Sequence, residues 1–108
     1  MEIKTYNKLV RDNIPAIIEA TGAVCETAVL SDADYLCALD QKLSEELAEY
    51  HKDQSIEELA DLMEVIYACA KARGYTVAEL EAVRAEKAAK RGGFGKRILL
   101  RTVTEGKE

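Results

Sequence analysis

Two acidic clusters at helical spacing carry the clearest chemistry in this chain: Glu45-Glu46-x-x-Glu49 and, after a short break, Glu58-x-x-Asp61. Residues three or four apart are neighbours on a helix surface, so each cluster gathers its carboxylates on one face. Those faces are not purely polar. Glu46 continues the row Leu39, Leu43, Glu46, Tyr50, and Glu58 and Asp61 lead into Val65 and Ala68. Carboxylates crowded beside an apolar stripe repel one another and lose hydration unless a cation compensates. The pattern therefore predicts a divalent-metal site between two antiparallel helices. Oxygen ligands without Cys or His favour Mg²⁺, or Mn²⁺, over zinc.

Plainer explanations exist for the same residues. An E-E-x-x-E run is common on solvated helices. Glu58 follows Ser55 at the spacing of a capping box, in which its carboxylate would reach back to the Ser55 N–H. Glu45 lies one step around the helix from Glu46, and Glu57 and Glu64 read as surface charges. What favours a site is the combination of two clusters, both bordering apolar rows, in consecutive helices. Other metal schemes fit poorly: a di-iron bundle wants Glu-x-x-His pairs, whereas the one histidine, His51, has Ala48 three positions before it. Neither a calcium loop nor a G-x-x-x-x-G-K-[ST] phosphate loop is present.

The elements that must position these acids are legible from caps and periodicity. Asp12-Asn13-Ile14-Pro15 opens a first helix that runs over Ile17 and Ile18 and stops at Gly22. Ser31-x-x-Asp34 opens a second, carrying Leu36, Leu39, Leu43, Leu47 and Tyr50 and fading near Lys52-Asp53. Ser55-x-x-Glu58 and Thr76-x-x-Glu79 open a third and a fourth, which Gly74 and Gly92-Gly93 end. Val24–Leu30 and a segment at Arg97–Val103 are rich in β-formers and are expected to pair as a minor two-stranded element. The fold class expected is all-α, a four-helix bundle with that small β addition, with residues 1–108 as one domain.

At 108 residues the chain suffices to bury roughly two-thirds of its unfolded surface. With 48% hydrophobic and 32% charged residues it is not of disordered type. The longest apolar run, Val65 to Ala70, is too short for a membrane span. Met1-Glu2-Ile3-Lys4 is not followed by the apolar stretch of a secretory signal. Cys25, Cys37 and Cys69 are odd in number and lack C-x-x-C spacing, so they are expected as reduced core thiols of a cytoplasmic protein. The net charge of −5 argues against a dedicated nucleic-acid binder. Its distribution says more: acid collects from Asp40 to Glu64, base at Arg84, Lys87, Lys90, Arg91, Lys96, Arg97 and Arg101. A metal held beside a polyphosphate would use both.

Taken with its flanking motifs, the acidic pattern resembles the signature of the MazG-like all-α nucleoside triphosphate pyrophosphohydrolases, a superfamily that includes phosphoribosyl-ATP pyrophosphohydrolase and dimeric dUTPases. The opening Tyr6-Asn7-Lys8-Leu9-Val10-Arg11-Asp12-Asn13-Ile14-Pro15 and the closing Lys90-Arg91-Gly92-Gly93-Phe94 are similar to its small, single-domain, house-cleaning branch. The resemblance implies hydrolysis of the α–β phosphoanhydride of a nucleoside triphosphate, giving a monophosphate and pyrophosphate, on non-standard nucleotides. It implies Glu46, Glu49, Glu58 and Asp61 as Mg²⁺ ligands. Glu45 would be an accessory acid that binds a further metal or orients the attacking water; Glu45, Glu46 and Glu49 are the candidate catalytic acids, one carboxylate taking the proton of a metal-bound water. Lys8, Arg11, Lys87, Lys90 and Arg91 are candidates to clamp the β- and γ-phosphates. Ordinary favourable charge at a helix C-terminus also accounts for Lys90 and Arg91. Phe94 would either stack on a base or fill a turn as a buried aromatic. Relatives assemble as dimers or tetramers, which implies a homodimer or homotetramer. This chain departs from the pattern in having only eight residues between Glu49 and Glu58, and it has no tryptophan.

Two other functions compete with hydrolysis. One is a non-catalytic helical module that binds nucleotide or a protein. The other uses Arg91-Gly92-Gly93-Phe94-Gly95-Lys96-Arg97 as an RNA contact, which the acidic balance of the chain disfavours.

Overall fold

Capping side chains set where the helices begin. In the computed structural model, which describes residues 2–106, Ser31 Oγ accepts the Asp34 N–H at 3.3 Å and Ser55 Oγ accepts the Glu58 N–H at 3.3 Å. The helices are α1 (Ile14–Glu19), α2 (Asp32–Asp53), α3 (Ile56–Ala72) and α4 (Val77–Arg91). Pro15 sits in the first turn of α1, where its missing N–H has no intrahelical partner to lose. The fold is all-α, and no strand forms among the described residues. Met1 and the end of the tail, Lys107 and Glu108, lie outside them.

Only Gln54 and Ser55 separate α2 from α3. Gln54 closes α2 in the left-handed region at φ 52°, with its N–H on the Tyr50 carbonyl at 2.7 Å. Ser55 then returns to extended backbone and caps α3. The short connection between the acidic clusters is therefore accommodated by one left-handed residue and one cap, and α2 and α3 pack against each other as a hairpin.

The chain groups into two compact units, one reaching to Val77 and the other starting at Ala78. In the first, the apolar rows read from the sequence turn inward: Leu39 is 2% exposed and Val65 8%, with Leu36, Leu43, Tyr50 and Ala68 half-buried. The third buried residue among those described is Glu46, at 9%. The second unit holds α4, whose surface carries the ion pairs Arg84–Glu81 and Lys90–Glu86, the latter at 3.0 Å. Gly92 adopts φ 81° just past the end of α4, with its N–H on the Ala88 carbonyl, as a left-handed C-terminal cap requires.

Two expectations are corrected. Neither Val24–Leu30 nor Arg97–Val103 is a strand. The Cys25 N–H is directed to the Glu19 carboxylate at 3.5 Å instead of to a strand neighbour. Arg97 lies at φ 57°, in a turn closed by its N–H on the Phe94 carbonyl, which no strand start can adopt. Val24, Val29, Ile98, Leu99, Leu100 and Val103 are exposed, so the β-forming composition has no apolar face to cover. The cysteines are free, as expected, but they are not core residues: Cys37 is exposed, and Cys25 and Cys69 are half-buried. Cys37 lies two residues from Leu39, on the far side of α2.

With so few residues fully buried, Leu39 carries a large share of the packing. Leu39→Ala should destabilise the protein by about 2–4 kcal/mol in denaturant unfolding. Ile56→Ala, at a residue 77% exposed, should change stability by no more than about 0.5 kcal/mol.

Candidate metal centre

The tight α2–α3 turn sets the acids of one helix against those of the next. Carboxylate oxygens of Glu46, Glu58 and Asp61 lie within 4.8 Å of one another, and so do those of Glu49, Asp53 and Glu58. Glu58 belongs to both triads. The four ligands expected from the sequence thus split over two overlapping groups: Glu46, Glu58 and Asp61 in one, Glu49 in the other with Asp53. Oxygens on opposite sides of a Mg²⁺ ion are about 4.2 Å apart, from bonds of about 2.1 Å, so modest side-chain rotation brings either triad to ligating distance. The Glu58 carboxylate is also not consumed by its capping box. Ser55 accepts from the Glu58 N–H, but no hydrogen bond runs from the Ser55 N–H to the Glu58 side chain among the described residues.

Three cations answer some of this charge. Lys42, one turn before the first cluster, reaches Glu45 at 3.4 Å and Glu46 at 3.2 Å, giving the buried Glu46 its counter-charge. Lys8 and Arg11, from the irregular segment before α1, meet the hairpin on both helices: Lys8 Nζ on Glu45 Oε1 at 2.9 Å, and an Arg11 guanidinium nitrogen on Asp61 Oδ1 at 2.6 Å. The hydrogen bond from Lys8, helped by the charge of Lys42 and opposed by burial, leaves the Glu45 carboxyl below its ordinary range. The same bond pushes the Lys8 ammonium up.

Glu58 is the exception. No cation lies within 4 Å of it among the described residues. Burial first, then the charges of Asp53, Asp61, Glu49 and Glu46, push its carboxyl above the ordinary range. The carboxylate common to both triads is therefore the one whose ionisation is opposed on every side. A hard divalent ion fits this donor set: all oxygen, closely spaced and short of positive charge.

The remaining predicted site residues lie in the second unit. Lys87, Lys90 and Arg91, with Val83 and Glu86, line an open depression of about 260 Å³ along α4. Lys90 is engaged there by Glu86 at i,i+4 spacing. Phe94 is 98% exposed, so the alternative of a buried turn aromatic does not hold. His51 is exposed beside Tyr50, their ring centroids 6.1 Å apart.

Two residues that complete the site were not singled out from the sequence. Lys42 was detectable, since it stands three and four residues before Glu45 and Glu46, where a cation pairs with both. In the sequence Asp53 is one acid of the run from Asp40 to Glu64, at the point where α2 fades. Its approach to Glu49 follows the helix, but its approach to Glu58 depends on the turn.

No family model matches the chain, and no solved structure matches it. Over 42 residues it is 52% identical to an uncharacterized protein of Mycolicibacterium smegmatis. That stretch covers 39% of this chain and 43% of the relative, so the chain matches less than half of that protein's length.

Ionisation of Glu58 is disfavoured in the fold relative to the unfolded chain. It therefore costs stability as pH rises from the ordinary carboxylate range through the raised folded value, and the cost persists above it. Glu58→Gln should melt at a higher temperature than the parent protein at pH 7 without added metal. The difference should close below about pH 4, where the carboxyl is protonated in both states.

Proposed function

We propose that this protein is a Mg²⁺-dependent nucleoside triphosphate pyrophosphohydrolase that cleaves the α–β phosphoanhydride of non-standard nucleotides, releasing a monophosphate and pyrophosphate. The observation that carries the reading is Glu58: shared by two carboxylate triads, pressed by four other acids, and without a cationic partner among the described residues. The MazG-like pattern of the sequence supports the same assignment.

Glu46, Glu58 and Asp61 would hold one cation, and Glu49 and Asp53 would share Glu58 in holding another; Mn²⁺ is an acceptable substitute for Mg²⁺. Such an ion, once bound, neutralises phosphate oxygens and acidifies a coordinated water. The protein's own groups do the positioning. Glu45, paired with Lys8 and Lys42, would hold a further metal ion or orient the attacking water. Lys8 and Arg11 would supply positive charge for the β- and γ-phosphates, Arg by bidentate bonding and Lys as a point charge, and the sequence pattern names Lys87, Lys90 and Arg91 as further candidates for that role. Phe94, exposed to solvent, would stack on the base. Catalysis of this kind rests on positioning and charge stabilisation.

Pyrophosphate release should appear across a panel of standard and damaged nucleotides with Mg²⁺ and vanish with a chelator. Glu49→Gln and Asp61→Asn should each lower kcat by on the order of 100-fold or more. Inactivity on the whole panel, with Mg²⁺ binding retained, would replace this reading with the non-catalytic nucleotide-binding module.

We also propose a homodimer or homotetramer. Leu47, Leu59, Met63 and Ile66 are exposed on the hairpin, and a groove of about 240 Å³ lined by Leu43, Ser44, Leu47, Leu62 and Ile66 runs between α2 and α3. A second copy covering this face would complete an apolar core that one hairpin leaves open. Light scattering should return a multiple of the 11.9 kDa chain mass, and a monomeric mass would contradict it. No helix among the described residues is long and apolar enough to cross a membrane; a cytoplasmic setting is part of the same proposal.

A further inference from the structure

The segment before α1 has no regular secondary structure, yet it is tied to both helices of the hairpin. Lys8 bonds Glu45 on α2, Leu9 is half-buried, and Arg11 bonds Asp61 on α3. Three residues of extended chain span about 10 Å, which matches the 8–10 Å between the axes of packed helices. Lys8 and Arg11 can therefore straddle the pair. Asn7, at φ 46°, turns the chain immediately before this crossing.

Arg11 occupies an oxygen of a carboxylate belonging to the Glu46, Glu58, Asp61 triad. A divalent ion entering that triad would sit a few ångströms from the guanidinium, and the two cations repel. The ion pair is solvent-exposed on both sides and correspondingly weak, so it can be exchanged. Lys42 differs: its side chain is only 18% exposed and it neutralises the buried Glu46, which suits a permanent counter-charge.

We infer that residues 8–11 form a cation-sensitive strap. Without a divalent ion, Arg11 stands in for the missing charge at Asp61. When the ion binds, Arg11 leaves Asp61 and becomes free to bond an incoming phosphate, so the protein exposes its anion-binding guanidinium only after the metal site is loaded. The inference rests on the metal-dependent reading given above and adds an ordered exchange to it.

The test combines Mg²⁺ calorimetry with nuclear magnetic resonance of the Arg11 guanidinium in the full chain. Mg²⁺ should speed solvent exchange of the guanidinium protons, and a non-hydrolysable triphosphate analogue added afterwards should slow it again. Arg11→Gln should bind Mg²⁺ about two- to fivefold more tightly, because a competing surface ion pair is gone. It should bind the analogue about tenfold more weakly in the presence of Mg²⁺, with Arg11→Lys restoring part of the loss. Equal Mg²⁺ affinity in Arg11→Gln and the parent, together with guanidinium exchange unmoved by Mg²⁺, would overturn the strap and leave the metal centre standing. Absence of Mg²⁺ binding to the parent protein would overturn both. The guanidinium measurement needs no variant, so it decides the matter even should Arg11→Gln fail to fold.

Discussion

Repulsion among carboxylates at the head of the α2–α3 hairpin is the constraint around which the first unit is organised. Glu46 is one of three buried residues there, and Glu58 lies within reach of acids from both helices. Such a cluster is tolerated because Lys42 neutralises Glu46 from within α2 and because Lys8 and Arg11 arrive from outside the hairpin. The compensation is uneven. Glu45, Glu46 and Asp61 have cationic partners, whereas the centre of the cluster, where the two triads meet, has none. A site whose periphery is neutralised and whose centre is not is what a bound cation would complete.

The apolar part of the hairpin is correspondingly thin. Leu39 and Val65 hold the contact between the helices, while Leu47, Leu59, Met63 and Ile66 remain open to solvent on its flank. Two helices by themselves leave much of each apolar stripe uncovered. The acids and the apolar groove occupy the same two helices, so whatever covers the groove also influences the rigidity of the proposed centre.

Helix limits were largely legible from the sequence because they depend on neighbours within a turn. Ser31 and Ser55 cap where their spacing to Asp34 and Glu58 says they should, and glycines stand just past the ends of α3 and α4. In the rows Leu39–Leu43–Glu46–Tyr50 and Glu58–Asp61–Val65–Ala68, Leu39, Glu46 and Val65 are buried and the others half-buried, in line with their periodicity. The β element was misread for a physical reason: β-forming composition states a local preference, but a strand exists only when another strand accepts its hydrogen bonds. At Cys25 a glutamate side chain takes the N–H, and at Arg97 the backbone has turned away. Cys37 shows the same gap between apolar composition and actual burial.

The sequence by itself determined the helices, the gathering of acids on one face of α2 and of α3, and the pairing of Lys42 with Glu46, since all of these follow from the 3.6-residue repeat and from caps. Tertiary structure alone decided which acids share a centre and which cations reach it. Lys8 meets Glu45 across 37 residues and Arg11 meets Asp61 across 50. Glu58 joins Glu46 on one side and Glu49 with Asp53 on the other. Those contacts depend on the hand of a two-residue turn and on the path of an irregular segment, and neither is encoded in the spacing of the residues that meet.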